Sequence, residues 1–166
     1  MEIENRTLGN RNFLMNAPPT PMSMTFRKPP KQIHVSCAII QRDNLVLAVQ
    51  RGSQMSLPLK WEFPGGKIEK DETPKTCLKR ELLEELDVHV QIGDSMDPVS
   101  HAYQTFRVTL YPFLCTIESG SLYLREHAAF LWLPPAGLRG LDWAEADVHV
   151  LEAYLKLHRL PRGESL

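Results

Sequence analysis

The sequence predicts an α+β domain, a strand-dominated mixed sheet covered by helices on both faces. Three observations carry this. Two β-rich runs, residues 33–40 and 45–49, flank the turn residues Arg42-Asp43-Asn44 and read as a hairpin. Thr73-Pro74 opens a helix bearing a leucine stripe, with a hydroxyl cap and Pro at the first helical position. A second long stretch with spacing near 3.6 closes the pattern at 142–157. At 166 residues the chain suits one domain with a tail, large enough to bury a core without metal or disulfide.

Residues 1–31 differ in texture from the rest. They hold five of the thirteen prolines (Pro18, Pro19, Pro21, Pro29, Pro30), lack hydrophobic periodicity and carry a net charge of +3. They are expected to be a mobile tail, or an overlong start with Met22 or Met24 as the true initiator, ahead of a domain at 32–166. After the hairpin, 52–60 is a loop leading to Trp61-Glu62-Phe63-Pro64-Gly65-Gly66, where Pro and paired Gly predict irregular backbone. The first helix is expected over 74–86. Strands follow at 99–104 and 107–116, then a Glu118-Ser119-Gly120 turn and a strand at 128–133 stopped by Pro134-Pro135. The second helix runs from Asp142 or Trp143 to Leu157, with Val148, Leu151 and Leu155 as its apolar positions.

Composition narrows the function classes. Nineteen Lys plus Arg against twenty Asp plus Glu argue against gripping duplex DNA, which calls for a basic excess, but are compatible with a small phosphorylated ligand. Cys37, Cys77 and Cys115 are an odd number in no CxxC pairing and read as reduced, buried thiols. No run approaches the 18 or so apolar residues of a membrane span, and the first thirty residues hold no signal-peptide core. A cytoplasmic location is therefore expected.

The helix at 74–86 breaks a local rule. Leu78, Leu82 and Leu86 at i, i+4 and i+8 make its buried stripe. Glu81, Glu84 and Glu85 share the neighbouring face, where like charges cost a few tenths of a kcal/mol per pair. Local rules fail most often at functional sites, and a hard divalent cation is what three such carboxylates attract. Upstream stand Gly66 and, after five residues, Glu72; seven residues later comes Arg80-Glu81-Leu82-Leu83-Glu84-Glu85-Leu86-Asp87-Val88. This resembles the Nudix hydrolase signature GX5EX7REUXEEXGU, in which U is aliphatic, and matches eight of its nine specified positions. Such a match arises by chance on the order of once in a million chains of this length. The departure is Asp87, where the pattern has the glycine that follows the helix.

The resemblance implies the family's α/β/α sandwich around a central mixed β-sheet. It also implies hydrolysis of a nucleoside diphosphate linked to a further group, with Mg2+ or Mn2+. By motif position Glu84 and Glu85 are the main metal ligands. Glu81 is a further ligand or the base that activates water. Gly66 offers its carbonyl to the metal, while Glu72 and Arg80 brace loop and helix. Glu126, before the last strand, matches a loop carboxylate that approaches the metals. Trp61-Glu62-Phe63-Pro64-Gly65-Gly66-Lys67-Ile68-Glu69 resembles more narrowly the MutT-type branch, which converts nucleoside triphosphates to monophosphate and pyrophosphate. There Arg51 would reach the nucleotide, with Glu62, Phe63 and Lys67 beside it.

Base choice rests on Glu145 or Asp147 at the start of the last helix. Either carboxylate accepts from guanine N1–H and N2–H, from 8-oxoguanine N7–H, or from cytosine N4–H. Acids at a helix N-terminus also favour the dipole without any ligand. The implied task is cleansing of 8-oxo-dGTP, with CTP or 5-methyl-dCTP hydrolysis as the alternative. After these come removal of pyrophosphate from RNA 5′ ends and a non-catalytic nucleotide-binding module.

Overall fold

The computed structural model describes residues 30–159. The expected tail lies outside these except for its last two residues, and Lys31 already begins a strand. β1 (Lys31–Arg42) and β2 (Leu45–Gln50) form the expected antiparallel hairpin. Asp43 and Asn44 both take positive φ, 49° and 62°, as a tight turn that matches strand twist requires. β3 (Trp61–Glu62) and β4 (Gly65–Lys67) follow, then α1 (Pro74–Leu86), β5 (Val88–Ser95), β6 (Val99–Ala102), β7 (Phe106–Gly120), β8 (Ala129–Leu133), a 3-10 turn (Pro135–Gly140) and α2 (Glu145–Arg159).

The sheet runs β3-β2-β1-β7-β5, with β4 added to β1, β6 to β7 and β8 to β2. It is mixed, because β1 and β7 are parallel while the other pairs are antiparallel. Alternation along the first hairpin builds two cores. Ala38, Ile40, Leu47 and Val49 face α1 and pack with Leu78, Leu82 and Leu86. Cys37, Ile39, Val46 and Ala48 face α2 and pack with Trp143, Val150, Leu151, Tyr154 and Leu155. The three α1 leucines are fully buried, worth about 1.5–3 kcal/mol each. All three cysteines are free and buried, as expected.

Four expectations need correction. The irregular stretch at 61–66 contains β3 and β4, because Trp61–Glu62 finds β2 and Gly65–Lys67 finds β1. β5 was not expected at all, and β7 continues through the supposed turn at 118–120 because β5 pairs with it there. α2 starts at Glu145 instead of 142 or 143. Trp61 N–H donates to the Asp142 carbonyl and Ala144 N–H to the Trp61 carbonyl, both at 2.9 Å, which keeps that stretch extended. Val148 is exposed, and Val150 and Tyr154 complete the buried stripe with Leu151 and Leu155.

α1 carries the expected Thr73 cap, whose side chain accepts from Thr76 N–H. It ends on Asp87 in the left-handed region, φ 59° and ψ 35°, whose N–H closes the helix on the Leu82 and Leu83 carbonyls. Asp tolerates this geometry less well than glycine and sets a negative charge against the helix dipole. Asp87→Gly is therefore expected to stabilise the fold by about 0.5–1 kcal/mol, read as a higher urea midpoint at unchanged slope.

Candidate active site

Arg80 organises the α1 face. Its Nε and Nη2 donate to the two oxygens of Glu72 at 2.9 and 3.0 Å. Nη1 reaches Glu81 at 2.9 Å and Glu84 at 3.3 Å, and Nη2 the Lys67 carbonyl at 3.4 Å. Glu72 in turn accepts from Glu69 N–H at 3.1 Å, so one guanidinium fastens the 67–72 loop to the helix. The guanidinium beside Glu72 holds its carboxyl down at about 2. Gly66 sits tightly under Glu81, so that a Cβ there would push the Glu81 carboxyl aside. Its carbonyl lies 3.5 Å from the Cys77 thiol.

Glu85 points inward. Its Oε2 is buried and has no hydrogen-bond partner. Burial, opposed by the charge of His127 and aided by Glu81, Glu126 and Glu62, raises this carboxyl to about 7. Glu126 comes close because its loop is tied to the end of α1 by main-chain bonds. Tyr123 N–H donates to the Leu86 carbonyl and Arg125 N–H to the Glu85 carbonyl, at 3.0 and 3.1 Å. Gly52 lets the loop approach, for a Cβ there would sit 2.6 Å from the Glu126 carbonyl oxygen. An orphaned carboxylate oxygen ringed by further carboxylates suits a hard divalent cation such as Mg2+ or Mn2+. Among the described residues no three such side chains already close into a cage, Arg80 holding Glu81 and Glu84.

On the other side of β1 and β4 lies a cavity of about 450 Å³. Arg51, Glu62, Phe63, Lys67 and Asp147 line it together with the ring of Phe106. Glu145 is exposed at the first position of α2 and is not part of the lining. Asp147 is buried and accepts from Phe63 N–H at 2.9 Å. Burial, reinforced by the Glu62 charge, raises its carboxyl to about 8. Near neutrality it therefore carries a proton and can donate as well as accept. Glu62 is itself engaged, pairing with Arg51 on one oxygen and with His127 Nε2, 3.1 Å away, on the other. Phe63 packs on Trp143 with ring centroids 4.7 Å apart.

His127 is not among the residues that the sequence singles out. Its side chain is 1% exposed and lies between Glu62 and Glu85, linking the cavity to the carboxylates. The signal was its place directly after Glu126, two residues ahead of the strand that pairs with β2. The raised Asp147 carboxyl has a consequence for stability. Its contribution is fully present below the unfolded value of about 4 and is lost as pH rises through about 8. Asp147→Asn keeps the acceptor for Phe63 N–H, so its stability relative to the parent should rise between about pH 5 and pH 9 in urea titrations.

Comparison with known proteins agrees with this geometry. The NUDIX domain model matches residues 35–153. A CTP pyrophosphohydrolase of Escherichia coli is 35% identical over 127 residues, covering 76% of this chain and 94% of that protein. An 8-oxo-dGTP diphosphatase of the same organism is 29% identical over 131 residues, covering 78% and 99%. The solution structure of the MutT protein of a methicillin-resistant Staphylococcus aureus superposes with a TM-score of 0.64 at 41% identity, covering 77% of this chain and 98% of that one. The family match, the identity to these relatives and the superposition lead to one assignment: the chain belongs to the NUDIX domain family and is a Nudix hydrolase of the MutT type.

Proposed function

We propose that this enzyme converts a nucleoside triphosphate to monophosphate and pyrophosphate, with 8-oxo-dGTP as its principal substrate in a cytoplasmic nucleotide pool. The observation that carries the substrate choice is Asp147, a buried carboxyl lining the cavity with one oxygen already taken by Phe63 N–H. Protonated near neutrality, it offers a donor to the O6 of an oxidised guanine and an acceptor to an adjacent ring N–H. Phe106 and the apolar wall bury the base, and the Arg51–Glu62 pair stands at the same cavity.

Nudix hydrolases use a divalent metal. Here Glu84 and Glu85 would hold it, with Glu81 and the Gly66 carbonyl adjoining, and Mg2+ is the expected ion, Mn2+ the substitute. Bound there it would neutralise phosphate charge and favour ionised water. Arg80 and Glu72 keep the glutamates in place. Because Arg80 engages Glu81, the exposed Glu126 is the better placed to take the proton of the attacking water. Water adds to phosphorus, pyrophosphate leaves, and the monophosphate remains in the cavity.

One observation favours a second reading. A neutral carboxyl also complements cytosine, accepting from N4–H while donating to N3, and a relative 35% identical is named a CTP pyrophosphohydrolase. A panel of 8-oxo-dGTP, dGTP, CTP and 5-methyl-dCTP, with products separated by chromatography, decides between them. The expected result is kcat/KM for 8-oxo-dGTP at least about 100-fold above dGTP, with Asp147→Ala raising KM more than it lowers kcat. Equal turnover of 8-oxo-dGTP and dGTP would sink the first reading, and preference for a cytosine nucleotide would replace it with the second. Gly66→Ala, which displaces the Glu81 carboxyl, should lower kcat by about 100-fold with the circular dichroism spectrum unchanged.

A further inference from the structure

Well away from the α1 carboxylates in sequence, β6 and α2 bring two imidazoles together. His101 Nδ1 and His149 Nε2 are 3.2 Å apart, with ring centroids at 5.3 Å and planes tilted by 37°. Among the described residues each ring's only hydrogen bond is to the other. The two rings come from residues 48 positions apart in sequence, and that of His101 has an aromatic backing. His101 meets Tyr103 edge-on at 4.6 Å, and Tyr103 stacks on Phe106 at 4.7 Å. His149 stands on an exposed flank of α2 whose next two residues, Val150 and Leu151, are buried in the core. Glu145, one turn earlier on the same flank, adds negative charge to the surface.

Two imidazole nitrogens bound to one tetrahedral cation at 2.0–2.1 Å lie about 3.3 Å apart. The pair already has that separation without moving either element. We propose that His101 and His149 form a second metal site, separate from the carboxylates of α1 and selective for a borderline transition-metal ion such as Zn2+, Ni2+ or Cu2+. Water completes its coordination. Donor chemistry separates the two sites, since imidazole suits these ions whereas an all-oxygen set suits Mg2+ and Mn2+. Position gives the site a consequence. An ion there ties β6 to α2 beside Tyr103 and Phe106, which line the nucleotide cavity, so its occupancy stiffens one wall of that cavity.

The test is calorimetric titration of the full chain with Ni2+ in a large excess of Mg2+, which keeps the carboxylates occupied. One equivalent is expected to bind, and affinity should fall by about tenfold or more in His149→Ala and in His101→Ala. The Glu84→Gln/Glu85→Gln variant should bind Ni2+ as the parent does. With Cu2+ in place of Ni2+, electron paramagnetic resonance should show coupling to two imidazole nitrogens in the parent and to one in each single variant. His149 is exposed on its helix, so replacing it leaves the core intact, which circular dichroism checks. Unchanged Ni2+ binding in His101→Ala/His149→Ala would overturn the proposal. So would absence of binding in the parent, or loss of binding in the glutamate double variant.

Discussion

The site depends on one guanidinium. Glu81, Glu84 and Glu85 crowd a single helix face, an arrangement that repels itself in isolation. Arg80 touches Glu81 and Glu84, clasps Glu72 through two parallel bonds and reaches the Lys67 carbonyl. Its planar fork can satisfy several acceptors at once, which a lysine ammonium at the same position could not do with the same geometry. The same contact lowers the Glu72 carboxyl to about 2, which keeps both partners of the clasp charged near neutrality. The loop from Gly66 to Glu72 is thereby ordered by the helix it precedes, and Gly66 is set against Glu81.

The sheet then divides labour between its faces. α1 covers one face and carries the charge; α2 covers the other and helps enclose the cavity. β1 belongs to both, since alternate residues from Cys37 to Ile40 point to opposite cores. Glu62 and His127 join the two regions. Glu62 lines the cavity, and its partner His127 lies near enough to Glu85 to oppose the rise in its carboxyl. The cavity and the α1 carboxylates therefore share a connected set of polar groups.

Much of this was legible in the residues. The hairpin joins two continuous β-rich runs and its turn is Asp-Asn, so composition and punctuation agree. α1 was readable to the residue because Thr73-Pro74 marks its start and the leucine stripe its face. Less readable were elements defined by partners. β5 is the exception: Val88, Val90 and Ile92 alternate with polar residues, a strand period present in the sequence although no strand was expected there. β3 and β4 are two and three residues long, too short for any period to show. Asp147 was singled out for its place near a helix start. The proton it carries near neutrality comes from burial, a tertiary property that sequence position does not report. The hidden position of His127 has the same origin.

The loop that carries Glu126 is fastened through main-chain atoms, from Tyr123 and Arg125 N–H to the last carbonyls of α1 and from Ala128 N–H to the Gln50 carbonyl. Such anchoring is indifferent to side-chain identity but sensitive to residue count. Tyr123 and Arg125 are exposed, and the bonds that place Glu126 do not involve their side chains. A one-residue insertion between Arg125 and Ala128 would instead move the carboxylate off the helix end although no functional residue had been replaced. For this segment the number of residues, more than the side chains of Tyr123 and Arg125, fixes where Glu126 sits.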